Sequence, residues 1–426
     1  MVSNARKVAA LALLRVQKDD AYSNIAINEA IKNASLSKLD AAFASKLFYG
    51  ALERKITLDY YIRHFSSQPL SRVSPFVLSV LRCGVYQLLF MDKVPQSAAV
   101  NESVNIIKKS KDSRASGYVN AVLRNVIRDL PKLPAADSVK GLSINYSCSE
   151  ELVKLYVDDY GIEETKKFLS NALNDSSVYI RVNTLKNTCA ELAKKLKEQD
   201  ITVSNTQLEN ALCLSDCGSI ENNPLFLEGR FHVQDISSQI CADSLSAQPG
   251  DFVIDMCAAP GGKSFTIAEN MQNKGEVISC DLHDHRVKLI ANGAARLGLD
   301  IISANALDAT QNCENFNGKF DRVLCDVPCS GSGVIGRKPD IKYKDFSDLS
   351  ELCTIQFKIL QNGFMYLKPG GTLVYSTCSV LKAENDSIVD KLLKKFDNAE
   401  LFKKHTFLPQ NDGTDGFFTA VIKKMR

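Results

Sequence analysis

Apolar residues in the first third of the chain recur at intervals of three and four. Val8, Leu11, Ala12 and Leu14 show it, as do Val77, Leu78, Leu81, Val85, Leu88 and Leu89. That period belongs to helices that turn one face toward a core. It persists from Val8 to about Leu130 and predicts an all-helical bundle, punctuated by prolines at 69, 75, 95, 131 and 134. Pro131-Lys132-Leu133-Pro134 marks an exit, and a new domain is expected from about residue 140. Residues 146–235 mix helical stretches at Glu150–Tyr160 and Cys189–Gln199 with alternating runs such as Val178–Val182, which reads as a small α+β module.

From Asp251 the pattern changes to short, continuous apolar runs separated by helical ones. The strand candidates are Phe252–Met256, Val277–Cys280, Ile301–Ala304, Arg322–Cys325, Leu373–Tyr375 and a terminal Phe417–Ile422. Five strands of parallel character with intervening helices predict a doubly wound α/β sheet, whose ligands bind outside the carboxyl ends of the strands. The expected domains are therefore 1–140, 141–235 and 236–426. Asp255 to Lys263, Asp281, Asn305, Asp326 to Ser330 and Thr377-Cys378 all fall at or just after predicted strand ends. Coincidence explains one such placement more easily than five, so these residues are expected to share one crevice.

Composition narrows the class. A chain of 426 residues exceeds one ordinary core, and 45% hydrophobic with 24% charged residues is the balance of a soluble globular protein. No apolar run approaches the roughly 20 residues that span a bilayer. Met1–Lys7 leads into an amphipathic helix interrupted by Arg15 and Lys18, without a secretory core, so a cytoplasmic, reducing location is expected for the 13 cysteines. Cys213/Cys217 and Cys325/Cys329 have i,i+4 spacing but no second Cys or His pair at zinc-ligand spacing, and His283 and His285 stand apart; no metal is expected.

The net charge of +3 hides an asymmetry, with residues 1–145 carrying +10 and the remainder −7. A basic appendage on an acidic body suits a polyanionic partner, although a solvated basic face has the same composition. Lys108, Lys109, Lys111 and Arg114 cluster, and Arg124 and Arg128 follow at i,i+4, which gathers the charge onto one surface.

The turn Ala259-Pro260-Gly261-Gly262-Lys263 ends as a P-loop does, yet the first glycine of that motif would be at position 257, which is Cys257. An NTPase reading is therefore broken. Two adjacent glycines before a helix still let a ligand approach the backbone, and Asp281, 19 residues past Gly262, stands where a carboxylate accepts both ribose hydroxyls of an adenosine-containing cofactor. Asn305 is placed near the adenine, with Asp308 its rival if the loop is one turn longer. Cys329 and Cys378 supply the remaining chemistry. A soft thiolate can add to C6 of a pyrimidine and make C5 nucleophilic toward a methyl donor, and chemistry alone leaves open which cysteine attacks.

Asp255–Lys263, Asp326–Gly333 and Tyr375–Ser379 resemble motifs I, IV and VI of the Sun/Fmu family of RNA cytosine-C5 methyltransferases. The likeness extends through Gly229–Asp235 and Arg337–Asp340, covering nearly all of 146–426. Val94-Pro95, Asn101–Val104 and Gly117–Arg124 resemble the NusB RNA-binding helical fold, a fusion characteristic of RsmB-type bacterial small-subunit rRNA methyltransferases.

The resemblance implies a Rossmann-like class I methyltransferase sheet behind a NusB-like bundle, making 5-methylcytidine in small-subunit rRNA. S-adenosylmethionine would lie against Cys257, Ala258, Ala259, Pro260, Gly261, Gly262 and Lys263, with Asp281 on its ribose and Asn305 near adenine. The family usually carries aspartate where Asn305 is placed. Asp326 would stand near the amino-acid end or the target base, Cys378 would attack C6, and Cys329 would assist product release. Lys263 is read either as a positive charge near Cys378 or as a partner of the turn carbonyls, and Arg337 either as a phosphate contact, with Lys338, or as an ion pair. A noncatalytic ribosome assembly factor is the alternative, and the two complete cysteine motifs weigh against it. Each site needs one chain, so a monomer is expected.

Overall fold

The computed structural model describes residues 5–19, 23–173, 177–215, 217–218 and 220–426; Met1–Asn4 of the amino-terminal reading lie outside them. The chain forms two compact units. One comprises the described residues up to Leu173 with Lys338–Asp345, and the other is the remainder.

The first unit is helical, as its hydrophobic period predicts. Pro75–Phe90 is buried on nearly every side, and its only buried charge, Arg82, is held by both oxygens of Asp59 at 2.7 Å. Phe48 and Tyr61 lie in this core with Phe43 and Tyr60 packed against it, which assigns these aromatics to packing. Helices Val139–Tyr146 and Glu150–Asn171, the latter kinked at Gly161, belong to this unit. The sequence puts a boundary near 140; long-range hydrogen bonds attach the first of these helices and Ser147 to the bundle. Thr57 Oγ1 donates to Ile144 O at 2.6 Å, and Ile56 N donates to Ser147 Oγ at 2.7 Å. The hydroxyl of Tyr343 lies 2.7 Å from Leu52 O and accepts from Lys55 N at 3.2 Å. It satisfies backbone groups that one helix end and the next helix start leave open.

The second unit contains two sheets. Strands β1 (Val178–Val182), β2 (Thr202–Asn205), β3 (Ala211–Ser215) and β4 (Phe231–Val233) form an antiparallel sheet in the order β2-β3-β1-β4. Strands β5 (Phe252–Asp255), β6 (Glu276–Asp281), β7 (Ile302–Ala306), β8 (Phe320–Asp326), β9 (Leu367–Thr377), β10 (Ala399–Phe407) and β11 (Phe417–Lys424) form a larger one. Its order is β10-β11-β9-β8-β5-β6-β7, with β9, β8, β5, β6 and β7 parallel and β10 and β11 antiparallel.

Alternation along these strands separates two cores. Ile254, Val323, Leu373 and Tyr375 pack with Leu360, Phe364 and Ile388 on one face. Val253, Leu324 and Val374 pack with Leu245, Phe265, Ile267 and Ile290 on the other. Coverage of both faces is why the parallel strands read as unbroken apolar runs. The smaller sheet is tied to the larger by Arg181, which donates to Asn270 Oδ1 at 2.9 Å, and by Asn183, which donates to Leu297 O at 2.9 Å. No helix among the described residues is long and apolar enough to cross a membrane.

Candidate active site

The carboxyl ends of the parallel strands carry Asp255, Asp281, Asp326 and Thr377, one residue from each of β5, β6, β8 and β9. Gly261 turns the chain from β5 into the helix Gly262–Asn270 with φ of 113°, and a Cβ there would come within 2.3 Å of the Phe265 ring. Glycine is thus required both by conformation and by contact. Ala258 N donates to Cys280 O at 2.7 Å, which pins the turn over β6.

Asp326 is doubly held, by Lys263 Nζ at 2.6 Å and by Ser376 Oγ at 2.7 Å. Burial opposes the charge on Lys263, but Asp326, together with Cys241 and Asp255, keeps the amine above its usual pKa. The hydrogen bond of Lys263 thus goes to a carboxylate rather than to a turn carbonyl. Asp255 is fully buried, and its Oδ2 accepts from Ser264 Oγ at 2.7 Å while Oδ1 has no partner. Burial pushes its pKa up to about 7.

Cys329 Sγ and Cys378 Sγ are 3.1 Å apart. The Cys329 thiol is held well above the ordinary thiol range, first by its hydrogen bond with Cys378 and then by burial. Cys257, by contrast, is held high chiefly by burial, which makes it a packing thiol. The two cysteine loops are bound to each other: Gly333 N donates to Cys378 O at 2.9 Å and Val380 N to Ser332 Oγ at 3.1 Å. A Cβ on Gly333 would meet Gly416 O at 2.0 Å and Cys378 O at 2.9 Å, so the close fit there excludes any side chain.

Cofactor candidates divide. Asp281 is nearly buried, accepts from His283 N at 3.3 Å, and has Arg286 Nη1 3.4 Å from its Oδ2. Arg286 also donates to Ala259 O at 2.9 Å. Leu282, next to Asp281, leaves an apolar side chain 58% exposed. Asn305 pairs with Cys280 within the sheet and folds back onto Ser303, donating to its O at 3.2 Å and Oγ at 3.0 Å. Asp308 lies two residues past the end of β7, where Thr310 Oγ1 donates to it at 2.6 Å and lowers its pKa.

Arg337 is an ion pair rather than an open cation. It contacts Asp235 Oδ2 at 3.0 Å, Asp415, and Ser177 O at 3.0 Å. Lys108, Lys109, Lys111, Arg114, Arg124 and Arg128 are all exposed. Sequence reasoning missed Glu384, a buried carboxylate six residues past Cys378 that bonds the residues following both cysteines. Glu384 stands in the mixed run Val380-Leu381-Lys382-Ala383-Glu384-Asn385, which gives no signal of its role. Among the described residues no group of three or more His, Cys, Asp or Glu side chains is arranged to hold a metal ion.

Comparison with known proteins agrees with this architecture. Residues 242–423 match the 16S rRNA methyltransferase RsmB/F family, 150–221 the ferredoxin-like domain of RsmF/B-like methyltransferases, and 3–128 the NusB family. The crystal structure of PH0851 superposes with TM-score 0.83 at 25% identity over 99% of both chains. That of a methyltransferase homolog from Pyrococcus horikoshii gives 0.60 at 27% identity, over 68% of this chain and all of that one. Fold and site thus define a Rossmann-like methyltransferase carrying a NusB-like helical domain.

Full-length relatives narrow the class. The probable ribosomal RNA small subunit methyltransferase B of Bacillus subtilis is 39% identical over 99% of both chains, and the Vibrio cholerae enzyme of that name is 33% identical over 99% of this chain and 98% of its own. The chain belongs to the ribosomal RNA small subunit methyltransferase B family.

Proposed function

We propose that this protein methylates C5 of a cytidine in bacterial small-subunit rRNA through a covalent Cys378–C6 adduct, using S-adenosylmethionine. The observation that carries the reading is the 3.1 Å approach of Cys329 and Cys378 beside the carboxyl edge of the parallel sheet. Family membership supports the substrate class.

The cofactor's chemistry is an electrophilic methyl. The residues present fit it: Asp255 leaves a buried oxygen unpartnered near the turn 257–263, Asp281 offers a carboxylate for the ribose once Arg286 yields it, and Leu282 offers an apolar surface for adenine. Of the two candidates for the adenine amine, Asp308 is favoured, because its carboxylate, fixed by Thr310, is a stronger acceptor than the neutral amide oxygen that Asn305 has left once its Nδ2 donates to Ser303.

The thiolate of Cys378 adds to C6, and the C5=C6 electrons move toward N3, leaving C5 nucleophilic. Asp326 keeps lone pairs beyond those used by Lys263 and Ser376, enough to bind the cytosine edge and favour protonation at N3. After methylation C5 must lose its proton. Cys329, retaining its own proton beside Cys378, passes that proton to the departing Cys378 sulfur as it takes the one from C5; N3 releases the proton it gained on addition, the C5=C6 bond reforms and both thiols are restored.

A stacked base cannot present C5 and C6 together, so the target must be unpaired or flipped out. The exposed basic cluster from Lys108 to Arg128 is the surface suited to flanking phosphates, which makes binding salt-sensitive. We place the protein in the cytoplasm as a monomer, with the NusB-like domain and the small sheet as RNA-binding parts.

The test is methyl transfer to protein-free small-subunit rRNA lacking the modification, read by nucleoside mass spectrometry. Wild type should yield 5-methylcytidine, Cys378→Ala none, and Cys329→Ala a persistent protein–RNA adduct. The opposite adduct pattern would exchange the two cysteines, and no product on RNA or subunits would favour the noncatalytic assembly factor.

A further inference from the structure

Glu384 is fully buried, and its described partners are all uncharged. Its Oε1 accepts from Ser330 N at 2.9 Å and from Gln356 Nε2 at 2.8 Å. Its Oε2 accepts from Ser330 Oγ at 2.6 Å and from Ser379 Oγ. Ser330 directly follows Cys329, and Ser379 directly follows Cys378. One carboxylate therefore clasps the residue after each cysteine, across a gap of 49 residues in sequence.

The clasp is itself anchored. Tyr375 Oη donates to the Glu384 carbonyl at 2.6 Å, and Gln356 donates a second hydrogen to Pro328 O at 3.0 Å. The neighbouring Asn385 accepts from Thr377 Oγ1 at 2.6 Å and donates to Ser379 O at 2.9 Å. Burying an ion is costly unless hydrogen bonds replace its water, and four donors do so here. A satisfied buried network of this kind fixes one arrangement of the groups it joins.

We propose that Glu384 is a positioning residue for the two-cysteine site, its carboxylate registering the Cys329 loop against the Cys378 loop. The inference rests on the two-cysteine reaction above for its consequence, but the registration can be read without RNA. Its charge also contributes to holding the Cys329 thiol high, which keeps the proton where the relay needs it.

Phenylarsine oxide, which bridges two thiols held close together, reads that registration directly. The reagent is applied to wild type, Glu384→Gln and Ser379→Ala, with peptide mass spectrometry to identify bridged Cys329–Cys378, and methyl transfer is measured in parallel. Glu384→Gln should bridge at least about tenfold more slowly and lose about ten- to a hundredfold in kcat, with KM for RNA and cofactor Kd within about twofold, because sub-ångström misplacement acts on rate. Ser379→Ala, which removes one arm, should show the same pattern more weakly and carries the test if the first variant does not fold. Wild-type bridging and kcat in the folded variants, or a loss confined to KM or cofactor affinity, would overturn the proposal. A wild type that makes no 5-methylcytidine would overturn the assigned reaction, while the bridging rates would still decide the role of Glu384.

Discussion

Lys263 Nζ lies 2.6 Å from Asp326 Oδ2, and this pair joins the helix after the glycine turn to the carboxyl end of β8. Removing the lysine leaves Asp326 without its countercharge beside the buried Asp255. Breaking one side of a buried pair costs about 3–5 kcal/mol; Asp326 is partly open, so we expect about 2 kcal/mol for Lys263→Met. Chemical denaturation checks this, and methyl transfer should fall with it. Unchanged stability would show that the pair contributes nothing net.

Asp255 makes stability depend on pH. Its pKa rises from the ordinary 3.8 to about 7 through burial, so between these values the folded form keeps a proton that the unfolded chain has released. Stability contributed by this group is therefore full below pH 4 and declines as pH rises to 7, by up to about 4 kcal/mol. Asp255→Asn should flatten that part of the difference curve. Parallel curves for the two proteins from pH 4 to 7 would contradict the assignment.

The rivals for the adenine separate by affinity. Asp308→Ala should weaken S-adenosylmethionine binding about tenfold, the worth of one good hydrogen bond to a charged group, while Asn305→Ala stays within about twofold. Isothermal titration calorimetry reads both. Reversed effects would return the adenine to Asn305.

Arg337→Ala should reduce stability and leave RNA affinity alone. Without the guanidinium, Asp235 and Asp415 face each other, and burial already lifts Asp415 to about 6. A loss of about 2–3 kcal/mol is expected. A thermal melt alongside filter binding at fixed salt tests it, and a selective loss of RNA affinity would restore the phosphate contact.

The six strands predicted from the sequence are present; five of their apolar runs end abruptly in Asp, Asn or Thr, and the last, Phe417–Ile422, ends in Lys423. Strand β10 was not legible: Lys403, Lys404 and His405 decorate an exposed sheet edge, which suppresses the hydrophobic signal. Helical periodicity continues past 140, so only distant hydrogen bonds, such as Thr57 to Ile144, show that Val139–Tyr146 packs with the bundle. Both cysteines could be read from their motifs. Glu384 and Arg337 could not be assigned, because a charged residue's role is decided by partners that lie 50 to 100 positions away.

The helical unit includes Lys338–Asp345, with Tyr343 closing two of its helix ends. During synthesis the nascent unit must wait for that piece. At about 5–20 residues per second, translation reaches it on the order of ten to thirty seconds after Leu173 has been made. Until then Leu52 O and Lys55 N have no Tyr343 hydroxyl to meet, and a ribosome stalled before residue 345 would display an unfinished bundle. Completion of the amino-terminal fold is thus a late event in the life of the nascent chain, timed by a segment encoded beyond the Cys329 loop.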